Sequence, residues 1–255
     1  MSLVIRQFPC RSDNYGYLVH DPDTGDTACI DTPAVRETND ILEAEGWQLT
    51  HIFNTHWHDD HAGGNLALKE TWGCTIVGSA IDPERIPGID IQVGDGDQYT
   101  FAGLSAQVFD VSGHTNGHIA FYLESDDALF CGDALFALGC GRLFEGTPSQ
   151  MWTSLQKLMD LPDNTRVFCA HEYTEANAAF ALTVEPQNDA LQSRAREIDD
   201  LRSRNEPTVP STIGEEKATN PFLRPMSQDL QTTIDKVDAP LDAVFAETRR
   251  RKDKF

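Results

Sequence analysis

At 255 residues the chain can bury one good hydrophobic core with an appended element, and its 40% apolar share is that of an ordinary globular protein. Its 41 acidic and 20 basic residues give a formal net charge of −21, which repels nucleic acid and anionic membranes and admits an anionic ligand only at a local basic exception. No run approaches the roughly 18 apolar residues of a membrane span.

The first 14 residues hold Arg6 and Arg11 and no long apolar run, so no secretory leader is expected. From Leu3 to about Cys169, short β-prone runs alternate with turns such as Asp23-Thr24-Gly25-Asp26 and Gly94-Asp95-Gly96-Asp97. Helical patterns interrupt them at 34–45, 60–71 and 149–159, the last after Pro148. Beyond His171 the texture changes: 175–184 and 189–204 read as helices, and no β-rich run follows. The order predicts an α/β layered domain over 1–172 and a helical one over 173–255. The cysteines at 10, 29, 74, 131, 140 and 169 form no Cys-x-x-Cys pair and sit mostly in apolar strand contexts. Buried free thiols in a reducing cytoplasm are the expectation.

The segment Thr55-His56-Trp57-His58-Asp59-Asp60-His61 concentrates metal-binding chemistry. Burying His56, His58, Asp60 and His61 without a cation would strand several polar groups, whereas imidazole and carboxylate suit zinc, iron or manganese. This cluster follows the apolar run 49–54. Three further runs, 106–111, 128–131 and 166–169, are followed by His114, Asp133 and His171. Strand ends tipped with such residues present them to a shared cleft, which predicts a two-metal site. Asp31, at the end of Cys29-Ile30-Asp31, either orients a ligand histidine, or is a strand-end turn residue, or caps the helix at 34. Asp59 is expected to be exposed.

The seven residues His56, His58, Asp60, His61, His114, Asp133 and His171 resemble the ligand set of the metallo-β-lactamase superfamily. The resemblance is closer to its glyoxalase II branch, the hydroxyacylglutathione hydrolases. It extends through Ser12-Asp13-Asn14-Tyr15, Gly132-Asp133-Ala134-Leu135-Phe136, the segment from Gly139 to Thr147, His171-Glu172-Tyr173-Thr174 and Arg250-Arg251-Lys252-Asp253-Lys254-Phe255. It implies a four-layer αββα sandwich with an all-helical C-terminal domain. It further implies hydrolysis of S-D-lactoylglutathione and related 2-hydroxyacyl thioesters by a metal-bridging hydroxide, the second step of methylglyoxal detoxification. His56, His58 and His114 would bind one ion, Asp60, His61 and His171 the other, and Asp133 both; zinc is expected, with iron or manganese as alternatives. Asp60, Asp133 and His118 form the expected catalytic group, His118 as a packing support because every ligand place is taken.

The same resemblance assigns Arg142, Phe144, Tyr173, Arg249 and Lys252 to the glutathione moiety. The branch often has Lys and Tyr where this chain has Arg142 and Phe144, so one hydroxyl is lost. Core packing is the other reading of Phe144, and a solvated, frayed terminus is the other reading of the basic tail. A monomer without nucleic-acid or membrane partners is expected. The competing readings are a mononuclear iron persulfide dioxygenase, a tRNA 3′-end ribonuclease, a lactonase and a non-catalytic metal-binding scaffold. The helical C-terminus weighs against the first, the acidic charge against the second and the Arg-Lys terminus against the third; the complete ligand set opposes the last.

Overall fold

The computed structural model describes residues 2–255, which divide into two compact units. One takes in the chain up to Asp110 together with Gly117–Gly132; the other takes in Val111–Asn116 and Asp133–Phe255.

In the first unit, β1 (Val4–Cys10), β2 (Asn14–His20) and β3 (Thr27–Ile30) form an antiparallel meander. The same sheet continues in parallel through β4 (His51–Phe53), β5 (Thr75–Ser79) and β6 (Ile91–Val93). Parallel neighbours need long crossovers, supplied by α1 (Val35–Glu45) before β4 and by α2 (Asp59–Ala62) and α3 (Asn65–Trp72) before β5. Leu42 of α1 and Leu68 of α3, both fully buried, pack with Leu18, Cys29, Ile52 and Ile76 on one face of the sheet.

The other face meets an antiparallel ladder of β7 (Gln98–Phe101), β8 (Leu104–Asp110), β9 (Ile119–Leu123) and β10 (Ala128–Gly132). Phe53 lies 5.0 Å from Phe121 and 5.5 Å from Phe101, and Tyr17 lies 5.6 Å from Phe130, ring centroid to ring centroid. Every residue of β9 and β10 is buried, which is why these strands read as continuous apolar runs.

The helix expected over 60–71 is broken in two. A Cβ on Gly63 would come within 2.4 Å of the Asp59 carbonyl oxygen, and one on Gly64 within 2.7 Å of the Thr32 carbonyl oxygen. This Gly-Gly step lets the chain turn tightly against Thr32 after a single helical turn.

In the second unit, β11 (Leu135–Phe136) and β12 (Gly139–Cys140) form a small hairpin. Helix α4 (Pro148–Met159) starts on a capping box in which Thr147 Oγ1 accepts from Gln150 N at 3.2 Å and Gln150 Oε1 accepts from Thr147 N at 2.8 Å. There follow β13 (Arg166–Cys169), α5 (Thr174–Val184), α6 (Asp189–Ser203), β14 (Ser211–Thr212), α7 (Ile213–Thr219), α8 (Gln228–Thr233) and α9 (Leu241–Lys252). The region beyond His171 is thus helical except for the two residues of β14, which pair with β13. Leu138, Ala178, Ala181, Leu191, Ala195 and Ile198 form one core, and Phe245 packs 5.7 Å from Phe222 and 6.2 Å from Trp152. The basic run at the end is not a frayed tail, because Arg249 to Lys252 complete α9 and Arg249 is buried.

Candidate metal centre and adjoining cleft

Because β3 and β4 run parallel, both deliver their C-terminal residues to the same edge of the sheet. Asp31 leaves β3 there at a φ of 55°, and the loop 54–58 leaves β4. Asp31 is 5% exposed and accepts three hydrogen bonds: from Thr55 N at 2.8 Å, from Thr55 Oγ1 at 2.7 Å and from His61 Nδ1 at 2.8 Å. It orients His61 and does not cap α1, whose N-cap is Ala34 without a side-chain bond.

A carboxylate only accepts, so the proton of His61 sits on Nδ1 and its Nε2 turns toward Asp60 Oδ2 at 3.5 Å. The same carboxylate orders a second histidine through Thr55. Its hydroxyl donates to Asp31 and stands 3.1 Å from His56 Nδ1, so Nε2 of His56 faces His58 Nδ1 at 3.0 Å. Thr55 carries no metal-ligand signal of its own in the sequence; its role follows from its contacts with Asp31 and His56. Asn14 donates to Asp60 Oδ2 at 3.2 Å, which gives the early Ser-Asp-Asn-Tyr segment a place in the cluster. His118 is fully buried with its ring stacked on His56 at 4.5 Å. Gly132 lies against this stack: a Cβ there would fall 2.4 Å from Thr55 Oγ1 and 2.9 Å from His118 Cε1. Asp59 faces solvent and takes Arg11 at 3.0 Å.

The second unit holds the remaining candidates. The two oxygens of Asp133 face different histidines, Oδ2 toward His114 Nε2 at 3.5 Å and Oδ1 toward His171 Nε2 at 3.3 Å. His114 is fixed from behind, since Nδ1 donates to the Arg142 carbonyl at 2.8 Å. His171 stacks on Tyr173 at 4.7 Å, with Phe136 edge-on at 5.9 Å.

These spacings test whether the residues suit a cation. Separations of 3.3 to 3.5 Å between histidine nitrogen and carboxylate oxygen exceed a normal hydrogen bond. Two ligands each about 2.0–2.1 Å from one tetrahedral ion stand about 3.3 Å apart. A histidine whose far nitrogen donates to oxygen is the usual form of a metal ligand. The donor sets in both units fit divalent ions.

A cleft of about 440 Å³ opens beside His114 and Asp133. Its walls carry the rings of Phe136, Phe144 and Tyr173 and the cations Arg142, Arg249 and Lys252. Phe144 is 63% exposed and tilts against His114 at 5.1 Å, so the core-packing reading fails. The cations differ in availability. Arg142 is exposed. Arg249 is 5% exposed, donating to the Cys140 carbonyl at 2.9 Å and pairing with Asp253 at 2.8 Å. Lys252 Nζ donates to the Ala176 carbonyl at 2.9 Å and lies 5.3 Å from the Phe180 and Phe255 rings. Burial, followed by repulsion from Arg249 and Arg142, lowers the Lys252 pKa to about 8. The Cys140 thiol beside Arg249 is pushed up to about 11 by burial, which keeps it protonated.

Comparison with known proteins agrees with this geometry. The family model of the metallo-β-lactamase superfamily matches residues 14–171, and the model of the hydroxyacylglutathione hydrolase C-terminus matches residues 172–255. The chain is 54% identical over 253 residues to the hydroxyacylglutathione hydrolase of Methylococcus capsulatus, covering 99% of each. It is 52% identical over 254 residues to that of Rhizobium meliloti, covering 100% of this chain and 99% of the other. Among solved structures, ETHE1 from Myxococcus xanthus is similar with a TM-score of 0.67 and 29% identity, over 99% of this chain and 100% of that one.

Proposed function

As a member of the hydroxyacylglutathione hydrolases within the metallo-β-lactamase superfamily, this chain is a metal-dependent hydrolase of acyl-glutathione thioesters, and we propose that its substrate is S-D-lactoylglutathione, opened to glutathione and D-lactate. The supporting observation is the cleft, in which Arg142 and Lys252 share a wall with His114 and Asp133. His56, His58 and His114 would hold one divalent ion, Asp60, His61 and His171 the other, and Asp133 both; zinc is the first choice, and iron or manganese suits the same donors. Bound there, two such ions supply a water that ionises near neutral pH and positive charge for the thioester carbonyl.

The chain's own residues do the rest. Asp31 and Thr55 keep protons on Nδ1 of His61 and His56, and the Arg142 carbonyl keeps one on Nδ1 of His114, so each ring offers its other nitrogen as a lone pair. Arg142 and Lys252 grip the glutathione carboxylates, and Phe144 and Tyr173 flank the bound molecule. Arg249 braces Cys140 beneath them. The leaving thiolate, with a pKa of about 8.5, needs little help from a general acid.

In this reading residues 1–172 form the catalytic domain, which also lends Arg142 and Phe144 to recognition, and 173–255 form the helical substrate-binding domain. The protein works as a monomer, and its six free buried thiols are in keeping with a place in the reducing cytoplasm. No helix among the described residues is long and apolar enough to cross a membrane.

Moving the lactoyl group from glutathione to N-acetylcysteamine removes both carboxylates and tests the assignment. Losing two charge-assisted contacts should lower kcat/KM on the order of 100-fold. Equal kcat/KM for the two thioesters would contradict recognition of glutathione.

A further inference from the structure

Both ends of the β11–β12 hairpin carry parts of the site. Asp133 leads into it, and Arg142, whose carbonyl holds His114, leaves it. The turn between them has Leu138 at a φ of 57°. Four of its backbone groups are held by side chains far along the chain. Leu138 N donates to Glu216 Oε2 at 2.9 Å. Asn220 Nδ2 donates to the carbonyls of Phe136 at 3.1 Å and Gly139 at 3.0 Å, and Asn177 Nδ2 donates to that of Ala137 at 3.0 Å. Glu216 and Asn220 are completely buried, and Arg194 compensates the carboxylate at 2.6 Å.

A buried ion pair is a weak source of stability, because apolar residues of equal volume often do as well. A carboxylate and two amides bonded to four successive backbone groups do something an apolar core does not: they specify one position for the turn. The hairpin is short, so that position passes to both of its ends. We propose that Glu216 and Asn220 are positioning residues for the metal centre, fixing through this hairpin the carboxylate of Asp133 and the carbonyl that orients His114. The inference rests on the reading of Asp133 and His114 as metal ligands.

The test is metal retention by the purified full-length protein against a graded series of chelator concentrations, with the Tm of the metal-free form measured in parallel. Asn220→Ala removes two of the bonds to the turn; Glu216→Gln keeps an acceptor for Leu138 but unbalances Arg194. Asn177→Ala, which loses a single bond, serves if either fails to fold. The chelator concentration that removes half the metal should fall about tenfold in Asn220→Ala and less in the other two. A lowered Tm with retention curves superimposed on the wild type would overturn the inference, leaving these residues a purely structural role. A wild-type protein that retains no metal would overturn the reading of the site and the inference with it.

Discussion

Asp31 orders two histidines through one carboxylate oxygen, Oδ2, which takes His61 Nδ1 directly and reaches His56 through the Thr55 hydroxyl, while Oδ1 accepts from Thr55 N. In Asp31→Asn the new NH2 must face either Thr55 N or the Thr55 hydroxyl together with His61 Nδ1, all of them donors, so the hold on the loop that carries these histidines is broken. Metal affinity should fall about 10–100-fold, measured by competition with a chromogenic chelator; unchanged affinity would contradict the role given to Asp31. Lys252 yields a pH dependence. Its ammonium form grips a carboxylate, and with the pKa lowered to about 8 that form disappears as pH rises through 8. KM for the glutathione thioester should therefore rise between pH 7 and 9, and Lys252→Arg, charged throughout, should flatten the rise. A flat wild-type profile would argue against Lys252 as a carboxylate contact. At this scale the sequence exposes the candidate ligands and Asp31, because carboxylates and imidazoles at strand ends are chemically conspicuous. It hides Thr55, whose hydroxyl matters only through its contacts, and the burial of Arg249, since a run of cations normally reads as solvated.

Among the elements, the loop before α4 packs tightly against a site residue. A Cβ on Gly146 would stand 2.6 Å from the Gly113 Cα and 2.7 Å from its carbonyl oxygen. Gly113 precedes His114 and has a φ of 153°, so it yields only by moving the histidine with it. Gly146→Ala should lower kcat at least about tenfold with partial loss of metal, read by steady-state kinetics and metal analysis; wild-type values for both would show that the loop relaxes freely. The long elements were legible from periodicity, and the 34–45, 149–159 and 175–184 patterns each match a helix to within a residue or so. The division of 60–71 into α2 and α3 was not, because it depends on the approach of Gly63 and Gly64 to backbone outside the helix. The side chains that hold the β11–β12 turn were equally hidden: Leu138 and Glu216 are 78 residues apart, a pairing that no local pattern encodes.

At the scale of the whole molecule, a net charge of −21 and a glutathione-derived substrate pull in opposite directions. The cleft resolves them locally, gathering Arg142, Arg249 and Lys252 around one opening in an otherwise acidic chain. Composition anticipates such an exception without locating it; the folding of α9 beside the β11–β12 hairpin brings the C-terminal cations to the cleft. The central claim is that divalent metal and glutathione recognition work together on a thioester. Its most direct test is hydrolysis of S-D-lactoylglutathione by the purified protein before and after chelation, with metal content per chain determined on the same samples. The expected result is rapid turnover with close to two metal ions per chain, lost on chelation and restored by added zinc. Turnover that survives complete removal of metal, or its absence from a fully loaded protein, would contradict the account.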